Sequence, residues 1–161
     1  MASVRSVYHT TLLVDYDVKL EAPRYGYGYI NRNFNSTNFP PNLEGRWLTE
    51  IQLLHFDLPL TFAQVVADIK QLGFQLPTAY DLITLGATGD MELNSVMTKY
   101  TRACCLCEPW VEVTLGKGFP RVPHLMAYGK PQIDLGALLG NEYHIPVSSV
   151  FLAIPLRKPE V

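Results

Sequence analysis

Residues 60–86 read LTFAQVVADIKQLGFQLPTAYDLITLG and spell out a capped helix, a turn and a second capped helix. Thr61 stands three residues before Gln64, and Thr78 three before Asp81. At that spacing the side chains at a helix start satisfy N–H groups that have no partner inside the helix. Phe62, Val65, Val66, Ile69 and Leu72 then fall on one stripe of the first helix, which must be covered by something apolar. Gly73 ends that helix and Pro77 marks the entry to the next. The spacing predicts helices over about 61–72 and 78–86, a scaffold signature without nucleophile, metal cluster or phosphate loop.

On the N-terminal side, residues 4–20 are rich in Val, Thr, Tyr and Leu without a helical stripe, and residues 47–56 (WLTEIQLLHF) alternate, so both predict strands. Between them, residues 23–45 (PRYGYGYINRNFNSTNFPPNLEG) are too poor in aliphatic residues to be core and too aromatic to be a plain linker. They predict an ordered long loop with at most one short strand. On the C-terminal side, 91–99 predicts a short third helix and 102–115 a strand. The Gly and Pro spacing of GKGFPRVPHLMAYGKP (116–131) predicts short pieces, and 147–156 predicts a final strand bounded by Pro155. Strands on both sides of a contiguous helical block predict an α+β fold, a mostly antiparallel sheet with the helical pair on one face.

Composition narrows the function classes. At 161 residues, 48% hydrophobic and 17% charged, the chain suffices for one core, so one domain spanning 1–161 is expected. A net charge of −2 gives no basic footprint for a phosphate backbone and disfavours duplex nucleic acid. No run approaches the roughly 18 to 20 apolar residues of a membrane span. The opening segment carries Asp15 and Asp17 where a signal peptide needs an unbroken apolar stretch. The expected setting is the cytoplasm, or a particle assembled from it.

The pattern LTxxxVxxxIxxLGFxxPTxxDLIxLGA over residues 60–87, with the ending FLAIPLRK at 151–158, resembles small uncharacterised proteins of bacteria and their phages. That resemblance implies a bacterial or viral source and carries no activity to any residue.

Chemistry-bearing motifs are sparse. Cys104, Cys105 and Cys107 form CCLC, but structural zinc sites favour two residues between paired cysteines. In an extended segment Cys105 and Cys107 face one side and Cys104 the other, with Leu106, as small hydrophobes of a buried strand do. His9, His55, His124 and His144 are dispersed, and Asp15 and Asp17 would share one face of a solvated strand. The Gly26-Tyr27-Gly28 and Leu115-Gly116-Lys117-Gly118 stretches lack the spacing of nucleotide loops and read as turns. No catalytic motif is present, and no cofactor or metal is implied.

The feature that points to function is RYGYGYINRNF, residues 24–34. If extended, Tyr25, Tyr27 and Tyr29 share one face while the glycines leave the other bare, giving an aromatic ridge flanked by Arg24 and Arg32. Asn33 and Phe34 continue it into an Asn-rich loop. Tyrosine and arginine are the residues binding hot spots use. The expected function is a protein-binding or assembly module, a bacterial or phage accessory protein such as a particle component or an inhibitor of a host system. Its partner would be another protein or a second copy. The alternative is a small-molecule-binding domain or enzyme with a tyrosine-lined pocket, in which Arg24 or Arg32 holds an anionic group.

Overall fold

The computed structural model describes residues 3–21, 26–137 and 144–160. Among them the chain runs β1 (Val4–Asp15), β2 (Tyr29–Ile30), β3 (Arg46–Phe56), β4 (Leu60–Thr61), α1 (Phe62–Gln71), α2 (Ala79–Gly86) and α3 (Met91–Met97). It continues through β5 (Arg102–Cys104), β6 (Trp110–Thr114), β7 (Lys117–Tyr128), β8 (Lys130–Ala137), β9 (His144–Ile145), β10 (Ser149–Ala153) and β11 (Arg157–Pro159). The fold is α+β. Its large sheet has the order β1-β3-β10-β5-β7-β8-β2, with β11 also on β3 and β6 also on β7, and β4 pairs separately with β9. Only the β10–β5 and β2–β8 pairings are parallel among the described strands.

The helix starts form as their spacing dictates. Thr61 and Gln64 close one capping box around α1, and Thr78 and Asp81 close another around α2. Gly73, at φ +85°, supplies the left-handed residue just after α1. Val65 and Ile69 of the predicted stripe are fully buried, each contributing about 1.5 to 3 kcal/mol by leaving water, while Leu72 at the helix end is exposed.

Strand residues alternate between two apolar clusters. Ile51, Leu53, Val150, Leu152 and Ile154 belong to one, together with Tyr80, Leu82 and Leu85 of α2 and Leu93 and Met97 of α3. Leu54, Phe56, Phe151 and Ala153 belong to the other, together with Val65 and Ile69 of α1. The contiguous helical pair is present, and its two members feed different clusters. All five residues of β10 are buried, so this central strand is covered on both faces.

Three strand boundaries depart from expectation. The first strand stops at Asp15 instead of continuing to residue 20. Asp15 Oδ1 accepts the Asp17 N–H at 3.0 Å and Asp17 Oδ1 accepts the Gly45 N–H at 3.0 Å, so these carboxylates hold a turn and share no strand face. The stretch 102–115 splits into β5 and β6 around CLCEP, residues 105–109. Residues 117–128, expected in short pieces, form one 12-residue strand that contains Pro120 and Pro123. Neither missing N–H breaks a ladder bond among the described residues. Pro120 faces Val111 in a hairpin register that places this pair between hydrogen-bonded ones. Pro123 accepts the Cys105 N–H at 2.9 Å and donates nothing in return, which is where β5 ends.

Candidate functional site

The expected ridge divides. Arg24 and Tyr25 lie outside the described residues. The Tyr27 ring is half-buried and its hydroxyl donates to the Ile83 carbonyl at 2.6 Å, near the end of α2. Gly86 makes this approach possible, since a methyl group there would collide with the Tyr27 hydroxyl and with Leu125. Tyr29, 48% exposed, and the exposed Arg32 face solvent. Asn33 is half-buried, while Phe34 is only 1% exposed and packs on Phe39 with ring centroids 5.7 Å apart.

Several asparagines of this loop bond within the loop, and Asn31 Nδ2 also donates to Asp134 Oδ1 on β8 at 2.9 Å. Asn31 Oδ1 accepts the Asn33 N–H, Asn35 Oδ1 accepts the N–H groups of Thr37 and Asn38, and Asn38 Nδ2 donates to the Asn33 carbonyl. Such side-chain turns fix a loop that has no ladder of its own. Ser36 Oγ ties it down by accepting from the Leu20 N–H and the Tyr80 hydroxyl.

A second surface was invisible in the sequence. The β6–β7 hairpin closes through Leu115 (φ 52°) and Gly116 (φ 75°), both left-handed, with Thr114 opposite Lys117. This is a two-residue turn of the type whose twist matches a hairpin, and it normally takes Asn-Gly because a bulky residue is strained there. Leu115 is nevertheless 98% exposed at the tip, followed along the strand by Val113 at 72% and Val111. In this register Val111 and Val113 lie between the pairs that bond across to β7, so their own N–H and C=O groups point to the open edge. Among the described residues β6 pairs with β7 alone. The alternation WVEVTL was legible as strand, but not which face water would meet.

Across β5, β7 and β8 the register aligns Cys104, His124 and Asp134, a thiol, an imidazole and a carboxylate in one row. Burial pushes the Cys104 thiol up to about 11. Burial, then Arg102, pulls His124 down to about 4 against the attraction of Asp134. Both are neutral at pH 7, so the row holds no thiolate–imidazolium pair. No group of three His, Cys, Asp or Glu side chains among the described residues is placed to hold a metal ion.

Two clefts adjoin the start of α2. One, of about 190 Å³, is lined by Asn38, Pro40, Asn42, Thr78, Tyr80 and Cys107 among others. The other, wider and about 500 Å³, shares Asn42 and Tyr80 and adds Tyr16, Lys19 and Glu44. Neither of these two is lined by Tyr27, Tyr29 or Arg32. No helix among the described residues is long and apolar enough to cross a membrane. No protein-family model matches the chain, nor does any curated protein or solved structure.

Proposed function

We propose that this protein is a protein-binding or assembly module whose main contact surface is the β6–β7 hairpin. The observation that carries the reading is the Val111, Val113, Leu115 row, apolar, exposed and bordered by an open strand edge. An edge of that kind is an aggregation hazard unless something covers it, and β6 has only Glu112, itself paired to Arg121 at 2.9 Å, to discourage pairing. The fitting partner is an extended segment of another chain, which adds a strand to β6 through main-chain hydrogen bonds and sets apolar side chains against the valines. A strained leucine that buries nothing breaks local rules without a gain in folding, which is where function is to be sought. Tyr29 and Arg32, on and beside the terminal strand β2, offer a second, smaller contact. The wider role, as a bacterial or phage accessory protein, rests on the resemblance of residues 60–87 and 151–158.

The test compares the native chain with Val113→Lys by sedimentation over a concentration series and by pull-down from lysate of the source cell. The expected result is association weakened by about 2 kcal/mol or more, the scale of a hot-spot residue, at unchanged melting temperature. Equal association of the two proteins overturns the hairpin as the contact surface.

A further inference from the structure

The CCLC segment contributes to both apolar clusters. Cys105 and Cys107 both belong to the apolar cluster that holds Tyr80 and Leu82, whereas Cys104 belongs to the opposite one. The chain leaves β5 after Cys104 and bends at Cys107 and Glu108, and the side chains of Cys105 and Cys107 lie beside each other. Both are buried, and they differ in degree, Cys107 being 9% exposed and Cys105 0%. Cys107 forms part of the wall of the 190 Å³ cleft, beside Thr78 and Tyr80 at the start of α2. Cys105 lies behind it, fully buried, its thiol donating to the Thr78 carbonyl at 3.3 Å. Burial, reinforced by the Cys107 thiol beside it, keeps Cys105 protonated well above the usual thiol range. An outer thiol at a cleft with a protonated inner thiol beside it is the layout of a dithiol exchange site, in which the outer group attacks and the inner one resolves.

We propose that Cys105 and Cys107 form a redox-active dithiol that exchanges with small disulfides entering the cleft beside α2. In the first step the Cys107 thiolate attacks one sulfur of the disulfide. A mixed disulfide forms, and the other half leaves as a thiolate and takes up a proton. In the second step Cys105 loses its proton and attacks the Cys107 sulfur, the Cys105–Cys107 bond forms, and the second half leaves as a thiol. One disulfide is reduced to two thiols, and the cysteine pair is oxidised by two electrons. A ring closed over a single intervening residue, Leu106, is strained, so the product belongs among the reducible, switch-like disulfides.

The test uses the full reduced chain and oxidised glutathione, without oxygen. After acid quenching the protein is unfolded, alkylated with a maleimide and weighed intact. The tryptic fragment 103–117, which carries all three cysteines, is then mapped. The expected product retains one alkylated thiol of the three, on Cys104. Cys105→Ser is expected to stop at a glutathione adduct on Cys107. Retention of all three thiols, under conditions that oxidise the unfolded chain, overturns the proposal. So does a link that includes Cys104. Because the native chain alone yields the thiol count, a variant that fails to fold does not blunt the test.

Discussion

The Arg157 guanidinium reaches back 76 residues to Asp81, Nη2 to Oδ2 at 2.6 Å, with the two side chains 8% and 0% exposed. Arg157 Nη1 also donates to Gln75 Oε1 at 2.6 Å, Nε donates to the Tyr16 hydroxyl at 3.1 Å, and that hydroxyl donates to Asp81 Oδ1 at 2.6 Å. One carboxylate thereby caps α2, anchors the end of β1 and holds β11. Burial works against the Arg157 charge, but the Asp81 carboxylate outweighs it and leaves the guanidinium raised. Burial, then Asp81, pushes Tyr16 up to about 12.

Breaking this pair from one side should therefore cost more than removing it. Arg157→Met leaves a buried carboxylate short of its cation, and a loss of about 3 to 5 kcal/mol is expected in a denaturant titration. The double variant with Asp81→Asn should lose clearly less than the sum of the two singles, because each removes the same interaction. Strict additivity would show that the two side chains do not depend on each other.

Tyr27 and Tyr29, alike in sequence, should behave oppositely. Tyr27→Phe removes the donor to the Ile83 carbonyl and is expected to cost about 1 kcal/mol. Tyr29→Ala, at an exposed position, should change folding stability by less than about 0.5 kcal/mol. Melting curves of both variants check the pair, and a Tyr29 loss exceeding the Tyr27 loss would contradict the described packing.

His124 makes stability depend on pH. Its folded value of about 4 lies below the ordinary 6.5, so between those limits the unfolded chain binds the extra proton and stability rises with pH. The contribution is complete above about pH 6.5 and lost progressively toward pH 4, roughly 3 kcal/mol in all. Asp90 and Asp134, both held below the usual carboxylate value, act in the same direction at lower pH. Denaturant midpoints of the native chain and His124→Asn, taken at pH 7 and pH 4.5, check this. The variant should show a flatter dependence, and parallel curves would rule His124 out as the source.

The sequence by itself determined what is local. The two capping boxes, the stripe of α1 and the order of strands around a helical block follow from contacts three or four residues apart and from periodicity, which need no knowledge of neighbours. The opposed facing of Cys104 and Cys105 followed likewise from the two-residue period of extended chain. Tertiary structure alone decided the rest, because it depends on partners distant in sequence. The register of β7 against β6, β5 and β8 is what allows two prolines inside a long strand. A carbonyl of α2 and a gap at Gly86 draw Tyr27 inward while Tyr29 stays in water. A fold that covers Ile51 and Leu152 on both sides leaves Val113 and Leu115, no less apolar, with nothing to bury them. Hydrophobicity is a property of the residue, but burial is a property of what the rest of the chain brings to meet it.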